Sequence, residues 1–345
     1  MSDEASRRPF RIAAVQACPV FLDRTATVEK AVGLIAEAGR NGADLAVFPE
    51  AFLPGYPLWS WFIPPGRTHP LRALYAELVD NAVTVPDAAT ERLGAAAREA
   101  GICVVMGINE RNAEASGTTL YNSALYIDAD GRILGRRRKL VPTAAERLVW
   151  GQGDGSDLEV YALPFARVSG LICWENYMPL ARAALWRWGT EVLAAPTWDR
   201  GEPWTSTMRH VAKEGRCFVV GCCSPVHLDD IPDRLDFKHE YLASAGPWLN
   251  PGGSLIADPD GKIVAGPAME EEVILYADVE PAQLTGPRWQ LDTAGHYARP
   301  DIFQLRVDRR PRPLLVEAAA EGEPGTHSAD PGEEAPARGR EEETE

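Results

Sequence analysis

Short apolar runs of strand type alternate with segments of helical period from Phe10 almost to Val279. That alternation constrains the chain more than any other feature, because such runs bury both faces only in a sheet that helices cover. Residues 10–17 are small or β-branched and read as a first strand. Val28, Ala31, Ile35 and Ala38 follow at helical spacing, closed by Asn41-Gly42. Residues 43–48 read as a second strand, and 51–70, rich in Pro, Gly and Trp, as a structured loop. Helices are predicted over 71–81 and 87–100, then a buried strand over 102–108. Asp130-Gly131 between two strand-type runs is a hairpin signal, and Asp260-Gly261 repeats it. Between the hairpins the pattern predicts strands over 168–173, 192–195 and 217–222, with helices over 178–188 and 203–216. A last strand is predicted over 273–279. The whole reads as an α/β protein with mixed sheets covered by helices. One domain is expected over 8–285, a Pro- and Arg-rich arm over 286–316, and an acidic disordered tail over 317–345.

Charge is placed unevenly. The net charge is −15, and the tail from Glu317 carries ten acids against two arginines, so −8 of it lies there. No basic field is left to hold a nucleic-acid backbone or an anionic membrane. The one dense basic run, Arg136-Arg137-Arg138-Lys139, reads as a solvated face. No apolar run approaches the roughly 18 residues of a membrane span. No secretory h-region follows the opening Ser2-Asp3-Glu4. The six cysteines, at 18, 103, 173, 217, 222 and 223, lack zinc-site spacing and mostly sit in apolar surroundings. A reducing, cytoplasmic compartment is expected.

Three segments pair a reactive side chain with an abrupt strand end. In Val47-Phe48-Pro49-Glu50 the carboxylate follows an apolar run. A solvated turn glutamate and a desolvated general base are both open readings of it. Lys139 closes the hairpin strand, as a basic edge or as a group that stabilises developing negative charge. Cys173 stands between an apolar run and the helix predicted from Met178. A buried structural thiol and an activated nucleophile are again both open.

Taken together, the three segments resemble the nitrilase superfamily of carbon–nitrogen hydrolases, with its Glu-Lys-Cys order at Glu50, Lys139 and Cys173. Cys173-Trp174-Glu175-Asn176 is similar to the nitrilase branch itself. So are Phe52-Leu53-Pro54-Gly55-Tyr56-Pro57, Trp150-Gly151-Gln152-Gly153-Asp154-Gly155, Arg209-His210 with Glu214-Gly215-Arg216-Cys217-Phe218, and Gly295-His296-Tyr297-Ala298-Arg299-Pro300-Asp301. The resemblance spans roughly residues 10–305. It implies an αββα four-layer sandwich, a homodimer as the building block, and spirals or filaments as larger assemblies. It also implies Glu146 as a second catalytic glutamate and a small nitrile as the partner, hydrolysed to acid and ammonia through a thioimidate on Cys173, with no metal or other cofactor. Amidase, carbamoylase and a hydratase-like outcome are the enzymatic alternatives, and a non-catalytic scaffold the remaining one.

No Gly-x-Ser-x-Gly elbow and no His-Glu-x-x-His helix is present. Gly151, Gly153 and Gly155 precede a strand rather than a helix, which excludes a phosphate loop. His210 reads as a hydrogen-bonded core or supporting residue, not a papain-type base. Trp59, Trp61, Trp150, Trp174, Trp198 and Trp204 flank the motifs. Either they pack core and interface, or they line an apolar pocket for an aryl or arylalkyl nitrile. Tyr56, Trp174 and Trp198 are the expected substrate-binding residues.

Overall fold

The computed structural model describes residues 8–314. The first sheet holds β1 (Phe10–Gln16), β2 (Leu45–Val47), β3 (Cys103–Arg111), β4 (Leu120–Ile127) and β5 (Ile133–Arg138), with the last strand, β13 (Val273–Val279), at its far edge. The second holds β6 (Tyr161–Ala162), β7 (Arg167–Gly170), β8 (Val192–Thr197), β9 (Phe218–Cys223), β10 (Pro225–His227), β11 (Trp248–Ala257) and β12 (Ile263–Met269). Both are mixed and share one pattern. β1, β2 and β3 run parallel and β4–β5 returns as a hairpin; β7, β8 and β9 run parallel and β11–β12 returns as a hairpin. The two Asp-Gly signals lie in those hairpin turns, where Gly131 and Gly261 adopt φ of 81° and 79°.

Strand alternation sorts the side chains into layers. Ile12, Val47, Val105 and Tyr126 of the first sheet meet Val168, Val192, Phe218 and Val220 of the second in a central core. The opposite face of the first sheet, including Ala13, Val15 and Met106, packs on α1 (Arg24–Arg40) and α4 (Ala88–Ala100). The outer face of the second packs on α5 (Pro179–Arg187) and α6 (Glu202–Gly215) through Leu185, Trp186, Met208 and Val211. The result is the α-β-β-α layering that the resemblance implied. α1 buries Val28, Ala31, Ile35 and Ala38, the positions read from spacing, and Asp23 caps it by accepting from the Ala26 N–H. α4 begins in an Asp87–Thr90 capping box and ends at Gly101 with φ of 68°.

Three expectations need correction. Residues 51–70 contain a helix, α2 (Trp59–Phe62), and α3 (Thr68–Asn81) begins three residues early, since Pro70 is tolerated in a first turn. Second, the strand predicted over 168–173 ends at Gly170, and Cys173 opens a 3₁₀ turn, Cys173–Tyr177. Third, the run 136–139 is no solvated face. Arg137 and Lys139 are buried, while Arg136 and Arg138 pair with the buried Glu110. Alternation along the run sends Arg136 and Arg138 to Glu110, and Arg137 and Lys139 to other buried acids, Glu175 for the first and Glu50 with Glu146 for the second. The chain is completed by α7 (Asp236–Tyr241) and α8 (Pro281–Thr285). Beyond α8, residues through Arg312 stay in the same compact unit. Arg187 donates to the Ala294 carbonyl, Arg288 to that of Thr190, and Arg309 lies over the Trp188 ring. The acidic tail over 317–345 lies outside the described residues. Among the described residues no helix is long and apolar enough to cross a membrane.

Candidate active site

β2, β5 and β7 each run out at the same crevice, and each delivers one candidate residue shortly past its end. Glu50 follows β2 and sits before Ala51, whose φ is 50°. The approach needs Gly107 on β3: a Cβ there would stand 1.9 Å from the Pro49 carbonyl oxygen. Lys139 follows β5, and its N–H donates to the Asn122 carbonyl. Cys173 has φ of 53°, a left-handed conformation that is costly for a side chain bearing a Cβ and is held by its neighbours. Asn176 Nδ2 donates to the Leu171 and Cys173 carbonyls at 2.8 and 2.9 Å.

The structure brings Glu50, Lys139, Glu146 and Cys173 together, all buried. Lys139 Nζ donates to Glu50 Oε1 at 2.8 Å and to Glu146 Oε2 at 2.7 Å. Glu146 also accepts from the Thr143 N–H at 2.6 Å and from the Tyr56 hydroxyl at 2.7 Å. Glu50 Oε1 takes a further bond from Asn122 Nδ2 at 2.6 Å, but Oε2 has no hydrogen-bond partner among the described residues. A buried carboxylate oxygen without a donor is the natural acceptor for a proton that arrives during chemistry.

Electrostatics separate the roles. Burial pushes the Glu50 pKa up to about 7; the Lys139 cation opposes this and the Glu146 anion adds to it. Burial pushes the Cys173 thiol up to about 12, with the Glu50 charge adding; Lys139 and a hydrogen bond from Thr197 oppose it. Burial also works against the Lys139 ammonium, yet the charges of Glu50, Cys173 and Glu146 together hold its pKa above the ordinary lysine value. At neutral pH the resting site therefore holds a thiol, a cation and a glutamate poised to take a proton.

A pocket of about 290 Å³ opens onto this centre, and Cys173 and Glu146 line it with Tyr56, Trp61, Phe62, Thr143, Trp174 and Trp198. Tyr56 and Trp198 stack with parallel rings 4.4 Å apart, and Trp61 Nε1 donates to the Tyr56 hydroxyl. Trp174 stands at the mouth, its Nε1 donating to Asp199. The six motif tryptophans thus divide. Trp61, Trp174 and Trp198 face the pocket, whereas Trp59, Trp150 and Trp204 are buried packing residues. His210 is neither core nor support: its side chain is 70% exposed on α6, 3.9 Å from Glu214. The helix stripe Trp204, Met208 and Val211 faces the core, and His210 lies off it. Sequence reasoning missed Asn122, Thr197 and Arg137. Only for Arg137 was a signal present, in the two-residue alternation with Lys139. Among the described residues no group of three or more His, Cys, Asp or Glu is placed to hold a metal ion.

An αββα sandwich with a cysteine, a lysine and two glutamates beneath one pocket defines a class, the hydrolases of non-peptide carbon–nitrogen bonds. A family model described as carbon-nitrogen hydrolase matches residues 11–287. The chain is 45% identical over 312 residues to an aliphatic nitrilase of Sinorhizobium fredii (strain HH103), covering 90% of this chain and 99% of that one. It is 40% identical over 315 residues to a bifunctional nitrilase/nitrile hydratase of Nicotiana tabacum, covering 89% and 88%. Among solved structures, Nit3 of Saccharomyces cerevisiae superposes with a TM-score of 0.63 at 21% identity, covering 82% of this chain and 94% of that one. The chain belongs to the carbon-nitrogen hydrolase family, in its nitrilase branch.

Proposed function

We propose that this hydrolase converts an aryl or arylalkyl nitrile to its carboxylic acid and ammonia, with Cys173 as nucleophile and Glu50 as general base. The observation that carries the reading is the unpartnered Glu50 Oε2, held in one buried cluster with Lys139 and Glu146 beneath a pocket that Cys173 and aromatic side chains line. The thiol is too weak an acid to ionise first, so its proton passes to Glu50 as the C–S bond forms. The nitrile nitrogen gains that proton, and a neutral thioimidate results. Lys139 and a backbone N–H near Trp174 stabilise the nitrogen while it is negative. Glu146 holds Lys139 in place. Glu50 then activates a water that adds to the thioimidate carbon. The tetrahedral intermediate expels ammonia, leaving a thioester, and a second water releases the acid and restores the thiol. Two waters are consumed for each nitrile. Tyr56, Trp174 and Trp198 supply flat apolar walls that favour an aromatic substituent.

The arm over 286–316 is proposed as the assembly contact of a homodimer, since its described part exposes Trp289, Ile302 and Phe303. The main reading is tested by ammonia release from phenylacetonitrile, benzonitrile, a short aliphatic nitrile, the matching amides and a carbamoyl amino acid. Acid and amide are quantified beside the Cys173→Ala variant. The expected result is acid and ammonia from the aromatic nitriles and none from the variant. Turnover of aliphatic nitriles alone overturns the substrate class. Turnover of amides or carbamoyl compounds alone overturns the reaction.

A further inference from the structure

One heavily bonded side chain near the site is not used by the proposed chemistry. Glu175 lies two residues past Cys173 and is buried. Its Oε1 accepts from Arg137 Nη2 and from the Leu140 N–H, each at 2.7 Å. Its Oε2 accepts from Arg137 Nη1 at 2.6 Å and from the Ile172 N–H at 2.7 Å. The donors have a pattern. Arg137 and Leu140 bracket Lys139 at the end of the first sheet, and Ile172 immediately precedes Cys173 at the end of the second. One carboxylate therefore joins the segment that carries the cation to the segment that carries the thiol.

The core between the two sheets is largely apolar, and apolar contacts are non-directional and leave sliding motions soft. Charge-assisted hydrogen bonds from a planar guanidinium fix both distance and orientation. Cys173 also needs support of this kind, because its left-handed backbone is not self-sustaining. The Ile172 N–H held by Glu175 and the carbonyls of Leu171 and Cys173 held by Asn176 are the contacts that maintain that turn.

We propose that Glu175, through Arg137 and the N–H groups of Leu140 and Ile172, is a positioning residue that sets the distance and orientation between Cys173 and Lys139. This rests on the reading that those two residues perform the chemistry. Removing the link leaves substrate binding largely untouched, since neither side chain lines the pocket. It misplaces two reacting groups relative to each other.

The test compares wild type, Glu175→Gln, and the double variant Arg137→Met with Glu175→Leu. Thermal melting, steady-state kinetics on the best nitrile and the rate of Cys173 alkylation by iodoacetamide are measured for each. The double variant replaces a buried ion pair by apolar groups, a change that proteins often accept without loss of stability. It also leaves the Leu140 and Ile172 N–H groups without their acceptor, so a cooperative transition at a lowered melting temperature is expected, while kcat falls about 10²-fold, the cost of a misplaced reacting group. KM is expected to move less than about three-fold, the signature of an interaction used in the transition state. The alkylation rate falls with kcat, because the small reagent also needs the oriented thiol. A double variant whose kcat and alkylation rate stay within about three-fold of wild type overturns the proposal, as does one in which KM alone rises. Failure of both variants to melt cooperatively assigns the cluster to stability alone and overturns it too. Wild type turning over amides but not nitriles defeats the nitrile reading instead, and the alkylation comparison still decides the role of Glu175.

Discussion

Two buried cations stand two residues apart, and the fold treats them differently. Arg137 is matched to one carboxylate, Glu175, through two parallel bonds of 2.6 and 2.7 Å. Lys139 is set between two carboxylates, Glu50 and Glu146, at 2.8 and 2.7 Å. The first arrangement is closed. A guanidinium does not lose its proton, and the charges cancel with every Glu175 oxygen paired. The second holds one cation against two anions, and that excess, together with burial, brings Glu50 to a pKa of about 7. Charge balance distinguishes the two clusters: one cation meets one anion in the first and two anions in the second. Both clusters are equally buried and equally short, and it is in the second that Glu50 is brought to a pKa of about 7.

The largest effect expected from breaking this contrast is on stability. Arg137→Met leaves Glu175 charged, buried and half-paired, which costs about 3–5 kcal/mol in a denaturant titration. Unchanged stability would show that the pair is no frame. Lys139→Met is expected to act on rate, lowering kcat by about 10²–10³-fold through loss of one transition-state donor. A loss under ten-fold would return Lys139 to a structural role.

The smallest effect sharpens the comparison most. Glu50 works as a base only when ionised, so kcat/KM is expected to fall on the acid side, half lost near pH 7. Glu146→Gln removes an anion that raises the Glu50 pKa, so the acid limb moves to lower pH, by about one unit. The site-directed change is read from pH–rate profiles. A limb that stays in place, or moves upward, would remove Glu146 from the electrostatics of Glu50.

Much of this site was legible before any coordinates. Glu50 and Cys173 each follow an apolar run and Lys139 closes a hairpin strand, and strand ends of an α/β sheet are where side chains reach a crevice. The alternation of strands and helices carried the layering, and the two Asp-Gly turns marked equivalent hairpins in both sheets. The basic run 136–139 shows the limit. Read along the chain, four adjacent cations look solvated. In three dimensions Glu110, Glu50, Glu146 and Glu175 meet them from four other segments. Tyr56 illustrates the same point, since its hydroxyl reaches Glu146, a residue 90 positions away, and it supports the acid as well as walling the pocket.

What the sequence by itself determined is most of the elements, their order, and the candidate residues at their ends. Those follow from local periodicity, turn chemistry and motif, which act over a few residues. Only the tertiary structure decided which carboxylate holds which cation, and that Cys173 rests as a thiol beside a glutamate that titrates near neutrality. Desolvation and charge pairing depend on the atoms that surround a group in space. Those atoms come from strands of two sheets whose mutual placement no stretch of the chain encodes on its own.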